Sequence, residues 1–209
     1  MHVKKLLMEL ETKREIYSHE KGELLPIITY PSPILKKVAK PVKVFDETIK
    51  KLCQNMLYTM YQTPGIGLAA PQVGKPLRIF VLDVDYNRAE SIGPSSEKSY
   101  TYENLNPLIF INPVIKSKEG EMTYEEGCLS LPGLYEEVKR FEKISVEFQD
   151  VEGQSQTMDA TELLSVCIQH ENDHLDGVVF LERLSFIKRN FLTKKYLKGQ
   201  KRKKNSSHS

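Results

Sequence analysis

His170, Glu171, Asn172, Asp173 and His174 form an H-E-x-x-H run, the residues of this chain whose types and spacing most directly suggest chemistry. On a helix, residues four apart share a face, so both imidazoles can chelate one ion while the carboxylate between them reaches water at that ion. This is the arrangement of metal-assisted hydrolysis, in which the ion lowers the pKa of water toward neutrality and Glu171 takes the proton.

The spacing predicts a helix of about four turns over residues 159–177, from a capping-box-like Asp159 and Glu162 to a stop at Gly177. Leu163, Val166 and Cys167 precede His170 by seven, four and three residues, which sets the histidines on or beside the apolar face. An imidazole there needs a partner, and a metal supplies one.

A catalytic site takes three protein ligands and keeps a position open. Candidates for the third are Glu162, Glu182, His2, His19, His208, Cys128 and Cys167. The three histidines fall in expected tails, and Cys167, itself on the helix, is better suited to lining a pocket. Cys128 is favoured, because E-G-C-L-S-L-P-G over residues 126–133 is glycine-flanked and suited to presenting a thiolate and backbone N–H groups. On the residues alone the choice stays open.

A second glycine-rich run, G-I-G-L-A-A-P-Q at residues 65–72, is followed by Val73 and Gly74. Such a run lets a backbone approach a ligand or simply turn, and the two readings weigh equally here. It lacks the phosphate-loop pattern and resembles a dinucleotide fingerprint only weakly.

The surrounding elements must position these residues. Residues 24–44 read as extended and are broken by Pro26, Pro31, Pro33 and Pro41. Asp46 is a natural N-cap for a helix over 47–62, where Ile49, Leu52, Cys53, Met56, Leu57 and Met60 recur at helical spacing, ending at Pro64 and Gly65. Cys53 on that stripe reads as a small buried hydrophobe. Strands are expected over 78–84, 108–112 and 143–148, with a turn at 150–153. Residues 86–106, polar around Gly93, Pro94, Ser95 and Ser96, read as a long surface loop with no part in the chemistry.

With 209 residues, the chain suits one domain with a sizeable core. Its 40% hydrophobic and 28% charged residues are ordinary soluble values, and no apolar stretch suggests a membrane partner. Three cysteines without a secretory leader point to thiols in a reducing compartment, with the cytoplasm as the expected location. The net charge of +2 is unevenly spread: ten basic residues and no acid follow Glu182, leaving residues 1–182 at −8. The basic end reads either as a solvated tail or as a docking segment for ribosomal RNA.

Residues 65–72, E-G-C-L-S at 126–130 and Q-H-E-N-D-H-L at 169–175 resemble, in order, the three signature motifs of bacterial peptide deformylases. The similarity runs over residues 24–184, leaving a 1–23 extension and a basic helix or tail at 185–209. The resemblance implies removal of the N-terminal formyl group from formylmethionine of nascent polypeptides, with release of formate. It implies Cys128, His170 and His174 as ligands of one divalent ion, usually Fe2+, with Zn2+, Ni2+ or Co2+ as alternatives. Glu171 would be general base and then general acid, and Gln72 with the Leu129 N–H would stabilise the oxyanion. Ile66 and Gly67 would hydrogen-bond the substrate backbone, while Ile66, Leu163, Val166 and Cys167 would line the methionine pocket.

The expected fold is one α+β domain: antiparallel β-sheets packed around a central H-E-x-x-H helix, with an N-terminal helix and a C-terminal helix. Two rival functions remain. An H-E-x-x-H endopeptidase leaves the Cys128 and Gln72 motifs without a task, and a non-enzymatic metal- or ribosome-binding protein calls for a fourth protein ligand closing the site.

Overall fold

The first helix, α1 (Glu47–Gln62), has the bounds that its apolar spacing predicts. The Asp46 carboxylate accepts from the N–H groups of Thr48 at 3.0 Å and Ile49 at 3.1 Å, satisfying donors that the first turn leaves unpaired. The computed structural model describes Tyr17 and residues 20–63, 65–92 and 98–206. Pro64, the 93–97 stretch and the candidate ligands His2, His19 and His208 lie outside the described residues, as do residues 1–16 and 18–19 of the 1–23 extension.

Among the described residues the strands are β1 (Gly67–Ala69), β2 (Ile79–Leu82), β3 (Asn87–Ile92), β4 (Lys98–Glu103), β5 (Leu108–Glu119), β6 (Met122–Gly127), β7 (Tyr135–Arg140), β8 (Lys143–Gln149) and β9 (Ser155–Thr161). Two further helices are α2 (Glu162–Leu175) and α3 (Phe186–Ser206). The main sheet runs in the order β1-β2-β5-β8-β9, antiparallel throughout, while β3-β4 and β6-β7 form separate hairpins.

All four residues of β2 are buried, because the sheet is covered on both faces. Ile79 and Val81 join Met56, Leu57 and Met60 of α1 in one core, and Phe80 and Leu82 join Ile168 and Leu175 of α2 in another. Cys53 is fully buried in the α1 core, and burial pushes its thiol up to about 12. The antiparallel sheet between the H-E-x-x-H helix and an N-terminal helix, with a C-terminal helix beyond, is the α+β fold expected.

Several local expectations differ from the structure. Residues 86–106 are not a loop: β3 and β4 pair from Asn87↔Glu103 to Ile92↔Lys98. The polar sequence hid this because the hairpin is held from its base, where Tyr86 and Tyr102 pack on Tyr61 of α1. Asp159 is not a helix cap but a residue of β9, opposite Ser145, and sheet pairing prevails there over local capping. α2 starts at Glu162, in the left-handed region at φ +52°, with its N–H donating to the Glu142 carbonyl at 3.0 Å. Strand β5 extends past 112 through a bulge at Asn112, and β6, β7 and β9 were not anticipated. α3 buries Leu192 and Tyr196 against Leu35, Leu131, Val138 and Phe180. No described helix is long and apolar enough to cross a membrane.

Candidate active site

α2 crosses the sheet with its C-terminal half buried, so His170, Glu171 and His174 are 8%, 3% and 1% exposed. Cys128 follows β6 in a turn closed by the Leu131 N–H on the Cys128 carbonyl at 2.9 Å. The Cys128 Sγ lies 3.2 Å from His174 Nε2, and one ligand atom from each of Cys128, His170 and His174 falls within 4.8 Å of the others. Among the described residues no other group of three such side chains converges in this way.

Two of the alternative third ligands are accounted for elsewhere. Glu162 is exposed at the start of α2, and Glu182 pairs with Lys36 at 2.6 Å. Cys167 is one turn before His170, its thiol 3.7 Å from the Ile66 carbonyl.

A chain of buried charges orients His170. Its Nδ1 lies 2.8 Å from Glu126 Oε2, so the Nδ1–H donates to the carboxylate and the Nε2 lone pair is left for a cation. Arg140 holds the same carboxylate bidentately at 2.6 and 2.9 Å and reaches Asp173 at 2.7 Å. Arg183 closes the far end on Asp173, through its Nε at 2.9 Å and a second contact from Nη2. Burial alone would raise the Glu126 carboxyl, but the hydrogen bonds from Arg140 and His170 hold it down at about 2. His174 is driven well below its ordinary value chiefly by burial, which keeps its ring neutral, the form that ligates metals. The sequence gives little sign of these roles: Arg140 and Asp173 are charged residues at inward positions of β7 and α2, β7 was not foreseen, and Arg183 is a half-exposed residue of the turn after α2.

Burial pushes the Glu171 carboxyl up to about 7, with the nearby Glu126 and Asp173 charges adding to the rise and His170 and Arg140 opposing it. Its Oε2 is buried without a hydrogen-bond partner. Gln72 sits in a 3-10 turn (Ala70–Val73), its side-chain oxygen accepting the Ala69 N–H at 2.7 Å. That contact turns its NH2 toward Ser130 Oγ at 3.2 Å and Cys128 Sγ at 3.5 Å. The proline-broken segment ties the two turns together: the Ile28 N–H donates to Gln72 and the Tyr30 N–H to Ser130, at 2.7 and 2.8 Å.

These side chains open onto a cavity of about 560 Å³. Ile66, Gly67, Leu129, Leu163, Val166 and Cys167 line it together with Cys128, Gln72, His170 and Glu171, while His174 is buried behind. One sulfur and two imidazole nitrogens form a donor set suited to a divalent transition ion, with a fourth position to spare. The class defined by this fold and site is a metal-dependent hydrolase with a peptide-sized cleft.

The polypeptide deformylase family model matches residues 24–190. A peptide deformylase of Neisseria meningitidis is 47% identical over 178 residues, 85% of this chain and 97% of that protein. One of Rhizobium meliloti is 44% identical over 177 residues, 84% of this chain and 94% of that protein. The crystal structure of a peptide deformylase from Legionella pneumophila superposes with a TM-score of 0.72 at 38% identity, covering 87% of this chain and 98% of that one. A Synechococcus elongatus peptide deformylase in complex with actinonin gives 0.69 at 37% identity, covering 82% and 87%. The chain belongs to the polypeptide deformylase family. It is a hydrolase that removes the formyl group from the N terminus of formylated polypeptides.

Proposed function

We propose that Cys128, His170 and His174 hold one catalytic divalent ion, Fe2+ in the cell, with Zn2+, Ni2+ or Co2+ able to take the same ligands. The observation that carries this reading is the convergence of their ligand atoms within 4.8 Å beside the buried Glu171 carboxyl. When bound, the ion supplies Lewis-acid polarisation and lowers the pKa of water toward neutrality.

Glu171 accepts a proton as water attacks the formyl carbon, then returns it to the nitrogen as the C–N bond breaks, leaving formate and a free amine. Burial raises this carboxyl, which suits a group that takes a proton and then returns it. Gln72 Nε2 and the Leu129 N–H stabilise negative charge on the formyl oxygen. β1 ends the main sheet, and its free edge at Ile66 and Gly67 takes the substrate backbone as an added strand. Ile66, Leu163, Val166 and Cys167 receive the methionine side chain.

The catalytic domain comprises residues 24–184, preceded by the 1–23 extension and followed by the basic helix or tail over 185–209. On α3, Phe186, Ile187 and Phe191 are exposed ahead of exposed Lys194, Lys195, Lys198, Lys201 and Arg202. That surface supports contact with ribosomal RNA, where Lys and Arg neutralise phosphates, and the cytoplasm as the place of action on nascent formylmethionyl chains.

The test is release of formate and amine from a formylmethionyl tripeptide by full-length protein purified anaerobically and loaded with ferrous iron. Rapid release by the parent, none by Glu171→Ala at equal iron content, and loss on chelation are expected. No release from a parent of verified iron content would overturn the assignment.

A further inference from the structure

The cleft edge at residues 65–67 is held by groups outside the three sequence motifs. The Gly65 carbonyl accepts from the Tyr86 hydroxyl at 2.9 Å, and the Ile66 carbonyl accepts from the Asp83 N–H at 2.9 Å. Asp83 is fully buried, and its carboxylate accepts from the Tyr61 hydroxyl at 2.6 Å and from the N–H groups of Asn106 at 2.8 Å and Asp85 at 3.0 Å. The Tyr86 ring stands edge-on to Tyr61, with centroids 5.1 Å apart. Tyr86 immediately precedes β3, so the base of the β3-β4 hairpin, α1 and the cleft edge meet at one point.

β1 has only three residues and a neighbour on one side. So short an edge strand has few ladder bonds of its own, and its backbone geometry is imposed from outside. Burial raises the Tyr86 phenol above its ordinary value, so the hydroxyl keeps its proton as a donor at neutral pH.

We propose that Tyr86 is a positioning residue for substrate binding: its hydrogen bond to the Gly65 carbonyl fixes the backbone of the cleft edge against which the peptide pairs. This rests on the reading of Ile66 and Gly67 as that edge. The hairpin base thereby serves the extended part of the substrate, beyond the methionine, and leaves the chemistry at the formyl group untouched.

Tyr86→Phe deletes the hydroxyl and keeps the ring. In the full-length, iron-loaded protein the KM for a formylmethionyl tripeptide rises about threefold to tenfold, with kcat within about twofold of the parent. The KM for formylmethionine amide, which has no downstream backbone to pair, changes less than about twofold. Tyr102→Phe is the control, because it removes a bond at 2.8 Å from the same hairpin to the Tyr61 carbonyl, away from the edge. Its KM values stay parental. An unchanged tripeptide KM in Tyr86→Phe, an equal rise for both substrates, a loss confined to kcat, or the same rise in Tyr102→Phe overturns the proposal. Absence of turnover in the parent would instead sink the active-site assignment, and the two failures are therefore distinct.

Discussion

Glu171 and Gly67 oppose each other across the cleft so closely that a Cβ added at Gly67 would lie 2.4 Å from Glu171 Oε1, 2.9 Å from its Cδ and 3.0 Å from its Cγ. The glycine is thus required by the acid that faces it. The Gly67→Ala variant is expected to stay folded, because the flexible end of Glu171 gives way before the backbone does. Turnover falls about a hundredfold, the scale of a catalytic group displaced by about 1 Å. Parallel thermal melts and formate-release assays check this; parental turnover would show that Glu171 tolerates displacement.

Gln72 is fixed by its bond to the Ala69 N–H, which leaves its NH2 aimed at the Cys128 and Ser130 side of the cavity. Losing a preorganised donor to a developing oxyanion costs about 3 to 4 kcal/mol in other enzymes. Gln72→Ala should therefore cut kcat at least about a hundredfold while binding the same amount of metal. A variant with near-normal kcat and full metal content would remove Gln72 from the oxyanion site.

The Glu126 carboxyl, held at about 2 against an ordinary value of 4.5, gives a pH-dependence with a definite sign. An acid whose pKa is depressed in the folded state stabilises the protein above its unfolded pKa and loses that contribution as pH falls through the folded one. The stability gap between the parent and Glu126→Gln should shrink steadily as pH falls from 4.5 to 2. Urea unfolding midpoints across that range are the measurement, and a gap that does not vary with pH would contradict the assignment.

The sequence by itself determined much of this protein. Spacing within one helix is a local property, so His170, Glu171 and His174 were legible as a chelating pair with an acid between them, and α1 was legible to its ends. The short-range motifs also marked Cys128 and Gln72, and the glycine-flanked segment favoured Cys128 as third ligand among seven candidates without closing the choice. Tertiary structure decided where Cys128 lies, bringing the turn after β6 against α2 so that its sulfur is 3.2 Å from His174 Nε2. It also decided what sequence patterning hid: the β6-β7 hairpin, whose Arg140 joins Glu126 to Asp173, and the β3-β4 hairpin, whose base braces the cleft edge. The physical reason is the same in both cases. A buried charge or hydroxyl is tolerable only when its partner is present, and these partners come from distant parts of the chain that no window of sequence contains.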